Sequence, residues 1–233
     1  MAVANRKVRV SSARRLLKSI PNSSMSAVIL DPPALFGIDG DEEETQIDEM
    51  ILGFNPVAEQ VTRILAPGGA SIFMGNPRST SAWEVVAAWA GLNLAAEITV
   101  LWKGDTIGSL TTSIRWHIKP GLRFGMPLSI RVPSNIVICE TVDSVNRDCP
   151  TQKPVELFNY LISLLVAKGP IADPFCGTGS SLVAAKMCGR MWIGGDINER
   201  KVQIARRRLG MVMVEDLNPL NLWVNGKLQR IEG

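Results

Sequence analysis

A doubly wound, mostly parallel α/β sheet with helices on both faces is predicted by three features of this 233-residue chain. Short apolar runs recur, such as Ser26 to Leu30, Ala70 to Met74 and Met191 to Asp196. Stretches of helical periodicity stand between them, and Gly and Pro mark the joints. Strands alternating with helical patterns read as βαβ units, whose right-handed crossovers fix much of the topology. With 46% hydrophobic and 20% charged residues, residues 1–233 fit one domain with a sufficient core.

The elements follow in order. Ser11 and Ser12 can cap a short helix that runs to Ile20, Pro21-Asn22-Ser23-Ser24 makes a turn, and Ser26 to Leu30 is a buried strand that ends at Asp31. A helix is expected from Ile47 to Leu65, interrupted near Pro56 and ended by Ala66-Pro67-Gly68-Gly69 before the strand Ala70 to Met74. Ser81 to Ala90 reads as helix and Glu97 to Trp102 as strand. Residues 103–133, broken by Gly104, Gly108, Pro120, Gly121, Gly125, Pro127 and Pro133, defeat assignment and form a candidate small recognition insert. Regularity returns in strand Asn135 to Cys139, helix Pro154 to Ala167, strand Pro170 to Asp173, helix Ser180 to Cys188, strand Met191 to Asp196 and helix Glu199 to Leu209. Asn225-Gly226 signals a hairpin in the tail.

Composition excludes several function classes. No apolar run reaches the length of a membrane span, and no apolar signal core follows the basic amino terminus, so a cytoplasmic location is expected. Cys139, Cys149, Cys176 and Cys188 form no CxxC pair and His117 is the only histidine, which argues against a zinc cluster or a histidine-based triad. The net charge is only +3, yet its distribution is uneven. Arg6, Lys7, Arg9, Arg14, Arg15 and Lys18 occur without an acid between them, whereas residues 39–49 hold seven acids and no base. Lys103 to Arg131 is modestly basic, which makes Arg115, Lys119, Arg123 and Arg131 candidate phosphate contacts, bordered by Trp102, Trp116 and His117. Trp83 and Trp89 read as core, and Arg206, Arg207 and Arg208 as a solvated helix end.

Two segments carry the chemistry. After the strand ending at Asp173, Gly177 and Gly179 allow a tight turn and close backbone approach to a ligand, and a helix opens near Ser180. Asp196 ends the next strand, where nucleotide-binding α/β folds place an acid for ribose hydroxyls. The loop lacks the Lys-Ser/Thr pair of a phosphate-binding P-loop, which disfavours ATP. Asp31-Pro32-Pro33 lies at a strand's carboxyl end, where ligands of open α/β sheets gather. Asp31 and the restrained Pro32 carbonyl form two acceptors suited to reorienting an exocyclic amine whose lone pair is conjugated into a base.

Asp31-Pro32-Pro33, then Pro150-Thr151-Gln152-Lys153-Pro154, then Asp173-Pro174-Phe175-Cys176-Gly177-Thr178-Gly179-Ser180 stand in an order that resembles the β-class amino DNA methyltransferases. The resemblance extends over most of the chain outside 103–133 and implies a Rossmann-like methyltransferase sheet. It implies S-adenosylmethionine as cofactor and DNA as substrate, with a base flipped from the duplex. Asp173, Phe175, Gly177 and Gly179 would then line the methionine end, Asp196 the ribose, Thr151 and Lys153 the cofactor pocket, and Asp31, Pro32 and Pro33 the target amine. Ala34 stands where the family carries an aromatic that stacks on the flipped base, and Phe36 is the nearest ring that could serve instead.

The resulting expectation is transfer to adenine N6, toward which Asp at the first motif position leans. Cytosine N4 is the runner-up, and a weakened cofactor- and DNA-binding protein is a third reading motivated by Ala34. Methylation of a glutamine amide fits less well, since that motif usually starts with Asn and follows its cofactor loop. The resemblance is compatible with a homodimer.

Overall fold

The computed structural model describes residues 6–32, 43–75, 77–103, 111–120, 136–142, 148–149, 152–165, 167–211, 221–224 and 227–230. Its strands join one sheet in the order β1-β8-β7-β2-β3-β5-β4-β6-β9-β10. In chain order these are β1 (Lys7–Val10), β2 (Met25–Leu30), β3 (Leu65–Gly75), β4 (Asn93–Lys103), β5 (Thr111–Ile118), β6 (Ile136–Glu140), β7 (Ile171–Asp173), β8 (Trp192–Asp196), β9 (Asn221–Val224) and β10 (Lys227–Arg230). The helices are α1 (Ala13–Lys18), α2 (Glu43–Ile64), α3 (Pro77–Trp89), α4 (Val155–Ser163), α5 (Ser180–Met187) and α6 (Glu199–Met211).

Every residue of β2 is buried, as a central parallel strand requires, and its side chains divide between two cores. Ala27 and Ile29 join the core beneath α4, α5 and α6, while Val28 and Leu30 join the one beneath α1, α2 and α3. From β2 the chain crosses through α2 to β3 on one side, and from β7 it crosses through α5 to β8 on the other. β2 and β7 are parallel neighbours, so the crevice above their carboxyl ends is the topological switch point of the sheet.

Helix α2 runs unbroken through Pro56 rather than restarting there. The carbonyl that loses its partner to a proline belongs to the residue four positions back, here Leu52, which is 75% exposed and open to water. Phe54, Val57, Ala58, Val61 and Ile64 keep the opposite face buried. The expected turn at 66–69 is instead a bulged opening of β3, where the register against β2 shifts between Met25 and Ala27 and Gly68 takes a φ of 76°.

The larger difference lies in 103–133, where Thr111–Ile118 is a sheet strand, antiparallel to β3 and to β4. Ile114 and Trp116 face one core and His117 the other, an alternation of period two that the surrounding glycines and prolines obscured. Residues 104–110 and 121–135 lie outside the described residues. Strand β1, unassigned from sequence, pairs parallel with β8, and the tail forms the expected hairpin. Trp89 is 68% exposed rather than core, whereas Trp116 and His117 are buried. Among the described residues no helix is long and apolar enough to cross a membrane, and no cluster of potential ligands could hold a metal ion.

Candidate active site

Strands β8, β7 and β2 end side by side in Asp196, Asp173 and, one residue beyond β2, Asp31. All three acids line one cleft of about 790 Å³, a volume suited to a nucleoside-sized ligand. The cleft follows from the strand order: β7 and β2 are neighbours, and the chain leaves them for helices that lead to strands on opposite sides.

The glycine loop is held from three directions. Gly177 N–H donates to Asp196 Oδ2 at 3.0 Å, and Cys176 N–H donates to the Gly195 carbonyl at 3.0 Å. The Arg208 guanidinium reaches from α6 to the Thr178 carbonyl at 2.8 Å and to the Thr178 and Ser180 hydroxyls at 3.2 Å. Arg208 is therefore part of the loop's support, not the solvated helix end its Arg-Arg-Arg setting suggested. Arg206 is likewise engaged, donating to the Val8 carbonyl at 2.9 Å.

The two glycines serve different ends. Gly179 has a φ of 87°, and a Cβ there would lie 2.8 Å from Ala205 Cβ, so it lets α6 close on the loop. Gly177 has a φ of 52°, and a Cβ there would meet nothing within 4 Å, so its backbone borders open space in the cleft. An adenosine cofactor fits this cradle. Asp196 accepts from Gly177 and, through Oδ1, from Asn198 N–H at 2.8 Å, yet a carboxylate has lone pairs left for ribose hydroxyls.

Asp173 is 2% exposed. It accepts from Phe175 N–H at 2.9 Å and from the Ser181 hydroxyl. Burial pushes its carboxyl up to about 7, with Asp31 and Asp196 adding to the rise and the Ser181 and Phe175 hydrogen bonds opposing it. Burial likewise pushes the Cys176 thiol far up, which removes it as a thiolate nucleophile.

Across the cleft, Lys153 Nζ donates to both oxygens of Asp31, at 2.6 and 2.5 Å. Sequence reasoning grouped Lys153 with the cofactor pocket; it does line the cleft, but its ammonium is bound to Asp31. The preceding Gln152 accepts from Thr178 Oγ1 at 3.4 Å, so the 152–154 segment bridges the glycine loop and the Asp31 strand end. Spacing along the chain carried no sign of that bridge. Pro32 also lines the cleft, while Pro33, Ala34, Phe36 and Thr151 lie outside the described residues.

Two of the candidate phosphate contacts, Arg115 and Lys119, are not brought to the cleft. Arg115 is ion-paired with Glu84 and Glu97 beneath α3 and has only 17% of its side chain exposed. Lys119 donates to the Leu65 carbonyl at 2.8 Å and pairs through its backbone with Gly69, at the amino edge of the sheet. The reason is strand β5: as a sheet member it commits these cations to neighbouring elements. Arg123 and Arg131 lie outside the described residues.

Residues 130–207, which include the glycine loop, Lys153 and Asp196, match a family model described as DNA methylase. The chain is 29% identical over 227 residues to the Type II methyltransferase M.HpaI of Haemophilus parainfluenzae, covering 85% of this chain and 72% of that one. Two solved structures share the fold. A DNA modification methylase of Thermus thermophilus, complexed with S-adenosyl-L-methionine, aligns with a TM-score of 0.65 at 23% identity over 88% of this chain and 96% of its own. The cytosine-N4-specific PvuII DNA methyltransferase aligns with a TM-score of 0.71 at 16% identity over 91% and 89%. The fold is that of a Rossmann-like methyltransferase. Residues 130–207 are similar to a DNA methylase domain, and the chain resembles a Type II methyltransferase over most of its length.

Proposed function

We propose that this protein transfers a methyl group from S-adenosylmethionine to the N6 amine of an adenine flipped out of duplex DNA. One observation carries the reading: Asp31, an acceptor for an exocyclic amine, shares a single cleft with the glycine loop and Asp196. The solved Thermus relative was complexed with the same cofactor, and M.HpaI is named a Type II methyltransferase, which supports a place in DNA modification. The cofactor supplies an electrophilic sulfonium methyl group.

The chain's own residues hold and orient. Gly177 and Asp196 receive the nucleoside end, and buried Asp173 with Phe175 borders the methionine end. Asp31 and the Pro32 carbonyl accept the two amine hydrogens and turn the nitrogen lone pair out of conjugation toward the methyl group. Lys153 fixes the Asp31 carboxylate, whose remaining lone pairs stay available to the amine. Methyl transfer would leave the nitrogen with a surplus proton, which Asp31 is placed to accept or pass to solvent.

Cytosine N4 is the second reading, favoured by the PvuII neighbour's named specificity. Asp rather than another residue at position 31 leans toward adenine. Ala34 provides no ring for the flipped base, so Phe36 is assigned to that contact. Labelled methyl transfer to unmethylated genomic DNA, followed by nucleoside mass spectrometry, tests the proposal. N6-methyladenine is expected; N4-methylcytosine would select the second reading. Unlabelled DNA in the presence of bound cofactor would refute both.

A further inference from the structure

We propose that the outer edge of the sheet, formed by β1 and α1, binds the sugar-phosphate backbone of duplex DNA beside the cleft. The proposal rests on the DNA methyltransferase reading and names a surface which that reading leaves open. Strand β1 is the last strand on its side and pairs only with β8. Arg6 just ahead of the strand, Lys7 and Arg9 on it, and Arg14, Arg15 and Lys18 on α1 are all exposed, and residues 6–18 contain no acid. None of the six has an ion-pair partner among the described residues.

The contrast with Arg115 and Lys119 is physical. Those two are committed to Glu84, Glu97 and a main-chain carbonyl, whereas the edge cations have no ion-pair partner among the described residues. A polyanion docked there gains the counterion release that drives DNA binding.

Shape agrees with charge. At the amino end of β1 a concavity of about 550 Å³ is lined by Arg6, Lys7, Arg9, Lys186 and Arg206, with no acid among the described residues of its lining. Lys186 and Arg206 are fixed there by hydrogen bonds to the Leu209 and Val8 carbonyls. At the other end of the strand Val10 pairs with Asp196, Ser11 N–H donates to the Asp196 carbonyl at 2.9 Å, and Ala13 lines the cleft. The basic strip thus leads from the concavity to the cleft mouth. From Lys7 to Val10 it covers about 10 Å, or roughly three base steps of one DNA strand. A base entering the cleft would have its flanking phosphates along this edge.

The test compares wild type with the triple variant Arg6→Gln/Lys7→Gln/Arg9→Gln. Fluorescence anisotropy of a labelled duplex is followed against salt concentration, and calorimetry of S-adenosylmethionine binding reports an intact cleft. Loss of these cations is expected to lower the slope of log affinity against log salt by about 2 to 3 and low-salt affinity by roughly tenfold or more, with cofactor affinity unchanged. The charge-keeping Arg6→Lys/Arg9→Lys variant retains the wild-type slope. A triple variant with wild-type affinity and slope would overturn the edge assignment while leaving the DNA reading intact. Absence of salt-dependent DNA binding by wild type would overturn both.

Discussion

Lys153 holds both carboxylate oxygens of Asp31, although 122 positions separate the two residues in sequence. The contact joins the end of β2 to the segment leading into α4, and it makes the two motifs parts of one device. Under the proposed methyl transfer Lys153 is a positioning residue, because it would reach the target amine only through Asp31. Each side chain is 22% exposed, so water can partly replace the pair and the fold should tolerate its loss. Lys153→Met is expected to lower kcat by roughly 10- to 100-fold, the cost of a misplaced acceptor. Steady-state kinetics with calorimetry checks this. A cofactor Kd weakened as much as kcat falls would assign Lys153 to the cofactor instead.

Asp173 gives a pH dependence with a definite sign. Its carboxyl is raised to about 7 in the folded chain, above the ordinary value of 3.8 that it regains on unfolding. Between those values the folded state holds the proton more tightly, so this group's contribution to stability is full below about 4 and falls as pH rises to about 7. Under the proposed assignment cofactor binding has the opposite slope, because an ionised Asp173 would attract the cationic methionine end. Affinity for S-adenosylmethionine should rise as pH increases through about 7 and flatten in Asp173→Asn, as measured by calorimetry. Ser181→Ala removes a hydrogen bond that opposes the rise and should move the midpoint upward. A profile unchanged in Asp173→Asn would exclude this carboxyl as its source.

His117 responds in the acid range. It is 1% exposed, lies edge-on to Trp83, and neither ring nitrogen has a hydrogen-bond partner among the described residues. Burial first, and the Arg115 charge second, lower its imidazole from 6.5 to about 4. Stability from this residue is present above 6.5 and is lost as pH falls toward 4, by about 3 kcal/mol for a shift of this size. Chemical denaturation of His117→Phe should show a flatter profile across that window. An identical slope in the variant would mean that other groups cause the acid sensitivity.

Much of the fold was legible because parallel strands buried on both faces, such as β2, are continuous apolar runs that need no partner to be seen. Asp31, Asp173 and Asp196 were legible for a related reason: each follows such a run, which fixes it at the carboxyl edge. What failed depended on pairing. Strand β5 is antiparallel and sits among chain breakers, so its alternation was outweighed locally, and its cations were assigned to DNA before their partners Glu84 and Glu97 were visible. Arg208 was misread in the same way, and the Asp31 partner of Lys153 was not foreseen, since a side chain's partner across 30 or 122 positions leaves no local pattern.

The two loop glycines separate folding from binding. Gly179→Ala would set a methyl group 2.8 Å from Ala205 Cβ and 3.2 Å from its Cα, neither of which is the far end of a flexible side chain. Strain at positive φ adds roughly 1 kcal/mol or more, and overpacking about 1 to 3 kcal/mol, so thermal unfolding should begin well below wild type. Gly177→Ala meets open space and carries only the backbone strain, so it should fold with a loss of about 1 to 2 kcal/mol. Its methyl group borders the cleft, and the bond from Gly177 N–H to Asp196 must bear the altered turn. Cofactor affinity should therefore fall more in Gly177→Ala than stability does, while stability is the main loss in Gly179→Ala. Calorimetric binding and unfolding of both variants decide the matter, and a Gly177→Ala protein that binds cofactor like wild type would remove Gly177 from the cradle.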